Sequence, residues 1–257
     1  MGNRKSGVTR LGDALDGEPP FPGLAAYEWG PEAARVVAEA MATDGAHDAG
    51  HLGRVFASAR TIAAGERDAG REIDWEVVVA AVLFHDVVNL PKDAPDRASA
   101  SARSAERARL FFDGRGGFDE GQMALLGEAI ERHSFSQDRV PESLEARIVC
   151  DADRLEAIGA VGIARTFYVS GTMEGQIAHP SDPFADERAL DDTSYAVDHF
   201  FEKLLALKDE FLTATGREMA ERRHEVLVEF LEEFGEEVGA TATAKKAYGV
   251  DPRGVDS

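Results

Sequence analysis

Histidine and aspartate residues, which can bind metal ions, recur in short clusters along this chain. The first cluster, HDAGH, covers 47–51, and its two histidines, His47 and His51, stand four positions apart. Residues at this spacing lie on one face of a helix, so both imidazoles can reach one ion. Zinc proteases use this spacing with a glutamate between the histidines. Here the acid is Asp48, whose shorter side chain favours a helix-capping role over a protease site.

A second pair, His85 and Asp86, lies in the stretch LFHDVVNL, directly after the almost wholly apolar segment WEVVVAAVLF. Burying an imidazole and a carboxylate costs roughly several kcal/mol unless both groups find partners. A metal ion bound to both groups would provide the partner, and a buried histidine–aspartate hydrogen bond is the alternative. The pattern therefore indicates either a metal site or an internal hydrogen bond.

A third cluster lies in IVCDADRLEAIG, where Asp151 and Asp153 interrupt a stretch with helical apolar spacing. Aspartate rarely stabilises the interior of a helix, so two of them indicate a polar cavity. Arg147 and Arg154 can pair with one of the two carboxylates. Because positions two apart face different sides of a helix, we expect only one of these aspartates to contact an ion.

The segments that carry these clusters have the apolar periodicity of helices, and no strand pattern stands out. The sequence therefore predicts an all-α fold. The polar stretch 171–193 is predicted as a long loop, which we interpret as a lid that sets specificity. The predicted helices cover 31–42, 48–64, 75–88, 98–112, 120–135, 142–169 (with a bend at Gly159 or Gly162), 194–207 and 209–235.

Length and polarity predict one domain with two flanking segments. A chain of 257 residues, 44% of them hydrophobic, can bury a sizeable core. We expect a disordered lead-in over 1–23, one domain over 24–238 and a flexible tail over 239–257. The lead-in has no apolar core of a signal peptide, and no run of about 18 apolar residues indicates a membrane span.

The charge balance limits the expected partners. Asp and Glu number 48 against 28 Lys and Arg, which gives a formal net charge of −20. Such a surface repels nucleic acids and anionic membranes, so we expect neither as a partner. An anionic substrate would need cations placed locally. A single cysteine, Cys150, excludes an internal disulfide and fits a cytoplasmic protein.

The order of these clusters resembles the HD-domain superfamily of metal-dependent phosphohydrolases. The matching residues are His51 in HLGRV, His85 and Asp86 in FHDVV, and Asp153 in DADRL. Longer stretches look like the YedJ-like branch of small HD hydrolases, and this similarity covers roughly 30–235. The stretches are HDAGHLGRV, FHDVVNLPK, ERHSFS, EARIVCDADRLEAIGAVGIAR and DDTSYAVDHFFEKLLAL.

The resemblance implies an all-α helical bundle with a metal site between core helices, and a ligand set for a divalent ion at that site. His51, His85, Asp86 and Asp153 occupy the family's ligand positions, and Asp151 is the alternative ligand or an acceptor for a histidine N–H. The His-Asp pair of HDAGH is then not the family's pair. Nitrogen and oxygen ligands together suit Mn²⁺, Fe²⁺, Co²⁺, Ni²⁺, Zn²⁺ or Mg²⁺, and the lack of thiolates argues against structural zinc.

The resemblance also implies hydrolysis of a phosphoester or phosphoanhydride of a small metabolite, with a nucleotide as the expected substrate. Water activated by the metal would attack phosphorus. Asp86 would accept a proton or bridge to a second ion, and His133 in ERHSFS would bind phosphate or protonate the leaving oxygen. For His133, a helix-end position favoured by the dipole is the alternative. Lys92 and Arg54 are candidate phosphate-binding cations, and Arg54 can instead hold Asp153 in place.

Two other functions remain open at this point. Some HD proteins are oxygenases with a di-iron site, and His47 or His133 could complete such a site here. His47 is otherwise a substrate-binding or outer-site residue, or a bystander. A non-catalytic domain that binds a nucleotide and regulates a partner is the third reading, although all four ligand positions are filled. The sequence also leaves a homodimer open.

Overall fold

The computed structural model describes residues 23–41, 49–90, 96–114, 117–133 and 140–240. Within these ranges the chain is all-α, as predicted, and one isolated bridge between Gln176 and Tyr195 is its only β-type pairing. Short 3-10 helices lie at Leu24–Ala26, Arg97–Ser99, Leu155–Ala157 and Leu204–Glu210. The α-helices are α1 (Gly30–Met41), α2 (Ala49–Asp68), α3 (Trp75–Phe84), α4 (Ala100–Phe112), α5 (Glu120–Glu131), α6 (Leu144–Arg154), α7 (Gly159–Thr172), α8 (Asp198–Glu202) and α9 (Ala214–Val238).

The chain divides into two compact units, Met1–Asp153 and Arg154–Ser257, at the last turn of α6. The expectation of one domain over 24–238 stays a prediction. Apart from Gly23, Gly239 and Ala240, the predicted lead-in and tail lie outside the described residues. Among the helices that the structure describes, none is long and apolar enough to cross a membrane.

Helix α3 is the centre of the first unit. Every residue from Val77 to Phe84 is buried, which explains why the segment is apolar on all sides. Asp74 caps the helix, since its side chain accepts a hydrogen bond from the Val77 backbone N–H at 3.2 Å. Helices α1, α2, α4 and α5 pack against α3. The predicted buried helix is therefore present in the core of this unit.

The end of α3 differs from the sequence prediction, which continued the helix to Val88. The ring Nδ1–H of His85 donates to the Val82 carbonyl at 2.8 Å. In a continuing helix the Val82 carbonyl would accept a hydrogen bond from the Asp86 N–H. The His85 ring competes with that N–H for the same carbonyl. The chain turns instead, and Ser104 Oγ on α4 accepts from the Val88 N–H at 3.1 Å.

In the second unit, α7 and α9 pack together around a cluster of phenylalanines. The Phe200 and Phe230 rings are stacked with centroids 5.5 Å apart, and Phe167 lies 5.7 Å from Phe230. The predicted bend after α6 is present, because a 3-10 turn follows Arg154 and α7 begins at Gly159, which has a φ of +73°. Such a φ favours glycine.

The predicted helix over 194–207 is wrong. Only α8 and a following 3-10 helix form there. The backbone before α8 is already paired: the Gln176 N–H donates to the Ser194 carbonyl at 2.8 Å, and the Ala196 N–H donates to the Gln176 carbonyl at 2.9 Å. Because these groups bond across the loop, they cannot bond along a helix.

The polar loop begins after Thr172 and is closed by a buried ion pair. Asp198 is fully buried, and Arg188 contacts both of its carboxylate oxygens, with Nη2 2.7 Å from Oδ1. The Asp191 N–H donates to the same carboxylate at 2.7 Å. These bonds hold the middle of the loop to the start of α8. The role of this loop as a lid stays a prediction.

Removing the N-cap of α9 should lower stability measurably. Thr213 is buried, and its Oγ1 accepts from the Gly216 N–H at 2.9 Å. We expect Thr213→Ala to reduce the free energy of unfolding by about 1 kcal/mol, because one helical N–H loses its acceptor. Urea denaturation followed by circular dichroism measures the change. Thr172→Ala, which removes an exposed hydroxyl at the end of α7, should change stability by less than about 0.5 kcal/mol. Equal values for the two variants would contradict the capping role.

Candidate metal centre

Four helices of the first unit bring histidines and aspartates together at their ends. His51 lies in the first turn of α2, His85 directly follows α3, His133 follows α5 by two positions, and Asp153 lies in the last turn of α6. The three histidines are buried. The side chains of Asp86 and Asp153 are 26% and 28% exposed, so solvent and small molecules reach the cluster from the carboxylate side.

The ligand-type atoms of these side chains lie close to one another. His51 Nε2 is 3.4 Å from His85 Nε2, and Asp153 Oδ1 is 3.6 Å and 3.7 Å from these two nitrogens. Asp86 Oδ2 lies 3.6 Å from His85 Nε2, and Asp86 Oδ1 lies 3.4 Å from His133 Nε2. His51 and Asp153, which are 102 positions apart in the sequence, thus lie next to each other.

Backbone hydrogen bonds fix the orientation of two of the imidazoles. His85 Nδ1 is 2.8 Å from the Val82 carbonyl oxygen, and His133 Nδ1 is 2.6 Å from the Ile130 carbonyl oxygen. A carbonyl oxygen only accepts, so each Nδ1 carries a hydrogen and donates it. In the neutral ring, Nε2 then presents a lone pair to the cluster. Both histidines therefore have the tautomer that a metal ligand requires.

The donor set fits a divalent cation. Lone pairs of His51 or His85 and the oxygens of Asp86 and Asp153 face one another, and such a group of acceptors is stabilised by a cation. Ligand atoms bound at about 2.1 Å in a tetrahedron stand roughly 3.4 Å apart, close to the separations of 3.4 to 3.7 Å found here. Within the described residues, two overlapping sets can hold an ion: His51 with His85 and Asp86, and His85 with His133 and Asp153.

Three of the contributing helices, α3, α5 and α6, approach the cluster with their C-terminal ends. The dipole of each helix places partial negative charge at that end. Their combined field favours a cation and disfavours a second anion in the same place. The charges of Asp86 and Asp153 add to this field.

His85 and His133, which follow the C-terminal ends of α3 and α5, have opposite pKa shifts. Burial lowers the pKa of His85, although the charge of Asp86 acts in the opposite direction. Burial also acts to lower the pKa of His133, but the hydrogen bond to Asp86 and the charges of Asp86 and Asp153 outweigh it and raise this pKa to about 9. In the metal-free protein at neutral pH, His85 is therefore a neutral ring and His133 carries a proton.

The raised pKa of His133 predicts a pH dependence of stability in the metal-free protein. The folded-state pKa of about 9 exceeds the ordinary value of 6.5, so the stabilisation is complete below pH 6.5 and is lost as pH rises through 9. It amounts to about 3 kcal/mol. Urea unfolding of the chelated protein at several pH values between 6.5 and 9 measures this loss. The difference between the original chain and His133→Asn should shrink across that window, and a constant difference would refute the prediction.

The other predicted residues have varied surroundings. Arg54 is half-buried on α2, one turn after His51. Asp151 is fully buried and belongs to neither ligand set. His47 and Lys92 lie outside the described residues. His224 is buried on α9, although its charged neighbours in sequence are typical of an exposed helix face.

The sequence did not indicate the carbonyl groups of Val82 and Ile130 that orient the imidazoles. A signal was present, because each of these histidines lies in the last turn of a predicted helix, 75–88 or 120–135. A histidine at that position can donate to a carbonyl of the final turn, as cationic and polar side chains near helix C-termini do.

Comparison with known proteins identifies the family of this chain. Residues 48–158 match the family described as HD domain. YpgQ of Bacillus subtilis (strain 168), an uncharacterized protein, is 35% identical over 197 residues, which cover 75% of this chain and 84% of the relative.

Solved structures of relatives share the fold. The crystal structure of Bacillus subtilis YpgQ in complex with ADP has a TM-score of 0.58 and 29% identity, covering 80% of this chain and 94% of that chain. An HD-superfamily hydrolase from Bacillus thuringiensis has a TM-score of 0.59 and 27% identity over 82% of this chain and 98% of its own. A predicted HD superfamily hydrolase from an uncultured Thermotogales bacterium has 31% identity and a TM-score of 0.53, covering 80% of this chain and 91% of that chain. By sequence and by fold, this chain belongs to the HD-domain family.

Proposed function

We propose that this protein is a metal-dependent phosphohydrolase that acts on a small phosphorylated metabolite, with a nucleotide as the expected substrate. The observation that carries this proposal is the convergence of His51 Nε2, His85 Nε2 and Asp153 Oδ1 within 3.4 to 3.7 Å of one another. Membership of the HD-domain family, whose matched structures include HD-superfamily hydrolases, supports it.

A divalent ion would be held by His51, His85, Asp86 and Asp153, and Mn²⁺, Fe²⁺, Co²⁺, Ni²⁺, Zn²⁺ and Mg²⁺ are the candidates. Such an ion, when bound, lowers the pKa of a coordinated water and polarises a phosphoryl oxygen. Two carboxylates balance the charge of one ion, so the site as a whole does not repel a phosphate. Their partial exposure leaves an approach for the substrate.

His133 is positioned to hold a proton and donate it. Its Nε2 lies 3.4 Å from Asp86 Oδ1, and in the metal-free protein the raised pKa keeps a proton on the ring at neutral pH. We assign His133 as the group that protonates the leaving oxygen or binds a phosphate oxygen, and Asp86 as the carboxylate that orients it and accepts a proton.

The net charge of the chain and the ligand of one relative support the proposed substrate class. Phosphate needs local cations in a chain with a net charge of −20, and Arg54, one turn from His51 on α2, is the described candidate. Lys92 and His47 are further candidates. YpgQ, the relative from Bacillus subtilis, has a crystal structure in complex with ADP, and this supports a nucleotide as the substrate here. We also propose that the protein acts in the cytoplasm and that it belongs to the YedJ-like branch of HD hydrolases.

A panel of nucleotides and simple phosphoesters tests the proposal. Metal-stripped protein is given Mn²⁺, Co²⁺, Ni²⁺, Mg²⁺ or Fe²⁺ in turn, and phosphate and pyrophosphate are measured separately. We expect release that requires metal and is lost in Asp86→Ala. Ion-dependent binding without release from any compound would refute the hydrolase proposal and favour a nucleotide-binding regulator.

One alternative has its own structural support. His85 has one free ring nitrogen, so it can bind only one ion. The carboxylates of Asp86 and Asp153 can each bridge two ions, and His51 and His133 belong to different ligand sets, so these donors favour a two-ion centre. A di-iron oxygenase would use such a centre. Iron content near two per chain together with substrate-dependent oxygen consumption would establish the oxygenase, since the hydrolase consumes no oxygen.

A further inference from the structure

The N-terminal ends of α3, α5 and α6 are joined by side-chain hydrogen bonds. Gln122 Nε2 on α5 donates to Asp74 Oδ2, the cap of α3, at 2.7 Å. The Asp74 backbone N–H donates to Glu145 Oε1 in the first turn of α6 at 2.8 Å. Glu145 is buried, and Asp74 and Gln122 are half-buried. We call Asp74, Gln122 and Glu145 the N-terminal clamp.

The same three helices carry the metal-centre residues at their other ends. His85 stands eleven positions after Asp74, and His133 stands eleven positions after Gln122. Helices α3 and α5 have 10 and 12 residues, so the two ends of each helix are separated by roughly 15 to 18 Å along its axis. The N-terminal ends of the three helices lie together, and so do their C-terminal ends. The helices therefore run parallel.

Parallel packing leaves the axial position of each helix weakly determined. Apolar contacts along α3 are non-directional, so sliding one helix by a fraction of an ångström costs little contact area. The parallel dipoles also repel one another. Directional hydrogen bonds between the N-terminal ends resist such a slide, and an α-helix transmits an axial displacement to its far end. Metal ligands must be held to within about 0.5 Å.

We propose that the N-terminal clamp is a positioning device that sets the axial register of α3, α5 and α6 and thereby the spacing of His85, His133 and Asp153. The clamp does not touch the ion. This inference rests on the proposed metal site, and it adds Asp74, Gln122 and Glu145 to the residues on which the affinity of that site depends.

Gln122 allows a sharp test because each end of its amide has a separate partner. Oε1 accepts from the Asp119 N–H at 3.0 Å within the capping box of α5, whereas Nε2 donates to Asp74. Gln122→Glu keeps an acceptor for Asp119 but places a second carboxylate against that of Asp74. Asp74→Asn keeps an N-cap but places an amide donor where Gln122 also donates.

The double variant Asp74→Asn with Gln122→Glu restores the hydrogen bond with its direction reversed. The asparagine Nδ2 then donates to the glutamate, and its Oδ1 still accepts from the Val77 N–H. The two single variants and the double variant form a cycle in which only the bond between the two side chains is lost and regained.

Calorimetric titration with Mn²⁺ measures the affinity of each variant, and the electron paramagnetic resonance spectrum of bound Mn²⁺ reports ligand geometry. We expect each single substitution to weaken Mn²⁺ binding by about fivefold to tenfold and to broaden the spectrum. The double variant should return to within about twofold of the original affinity. Thr213→Ala, which weakens the cap of α9 in the other unit, is the control for lowered stability and should keep both the affinity and the spectrum.

The outcomes are distinguishable. Equal Mn²⁺ affinity in the original chain and both single variants would overturn the clamp while leaving the metal site intact, as would a double variant no better than the singles. A loss of affinity in Thr213→Ala equal to that of Gln122→Glu would assign the effect to general stability and overturn positioning. Failure of the original chain to bind Mn²⁺ or the other candidate ions would overturn the proposed function, and the clamp's role with it.

Discussion

Replacing Asp153 by asparagine should weaken binding of a divalent ion by at least about 100-fold and reduce phosphohydrolase activity in proportion. Asparagine has nearly the same shape, so the substitution removes the negative charge that faces His51 and His85 at 3.6 and 3.7 Å. The remaining ligands would carry one carboxylate in place of two. Calorimetry with Mn²⁺ gives the affinity, and phosphate release at saturating metal gives the activity.

Asp151→Asn is the matched control, since Asp151 is the sequence's alternative ligand and lies two positions earlier on the same helix. It is fully buried and is not part of either ligand set. We expect Asp151→Asn to retain the metal affinity to within a few-fold, whatever it does to stability. If Asp151→Asn lost the ion and Asp153→Asn kept it, the two assignments would have to be exchanged.

His133→Asn should lower kcat by about 10²- to 10⁴-fold, the range for loss of a general acid. Asparagine can keep the donor that bonds the Ile130 carbonyl, which His133 Nδ1 reaches at 2.6 Å, so the end of α5 stays in place. The substitution removes Nε2 and the proton that His133 holds next to Asp86. Single-turnover kinetics with metal at saturation isolates this step.

The pH profile and the metal affinity of His133→Asn decide between two roles. If His133 supplies the proton, the variant keeps its affinity for the ion and loses the alkaline limb of the kcat profile. A large loss of metal affinity with a modest change in kcat would instead place His133 among the ligands, as the second ligand set allows.

Sequence patterns identified the residues of the cluster but not the way they are held. His51 stood out by its spacing from His47, the pair His85 and Asp86 by following an apolar helix, and Asp153 by interrupting apolar helical spacing. The resemblance to the HD-domain superfamily singled out these four as ligands, and the structure brings them together. Their role as ligands stays a prediction. Burying a charge costs so much free energy that a charged residue within an apolar segment is unusual. Such positions can therefore be recognised in a single sequence.

The exact ends of elements could not be predicted, since they depend on contacts between distant residues. Helix α3 stops at Phe84 because a ring nitrogen of His85 takes the Val82 carbonyl, and the valines that follow gave no sign of this. The helix expected over 194–207 is shortened by backbone pairing with Gln176, which belongs to another segment. Local propensity carries no information about either contact.

The burial of His224 could not be predicted from the sequence for a related reason. Its neighbours in sequence are charged, which is typical of an exposed helix face, yet one stripe of α9 that includes Ala220, His224 and Leu227 is buried. A polar residue at a position with helical apolar spacing can be read as either a surface or a core residue. Only the packing partner of the helix decides between them.

The bonds from His85 and His133 to the carbonyls of their own helices have a consequence for how an ion would be captured. Each ring is immobilised by the turn that precedes it, so its rotational entropy is lost when the protein folds and not when an ion arrives. Small zinc domains, whose ligands are scattered on an unfolded chain, unfold when chelators remove the metal. Here the frame and the ring orientations are built from the chain's own packing, and a chelated protein should remain a folded receptor that can exchange one divalent ion for another.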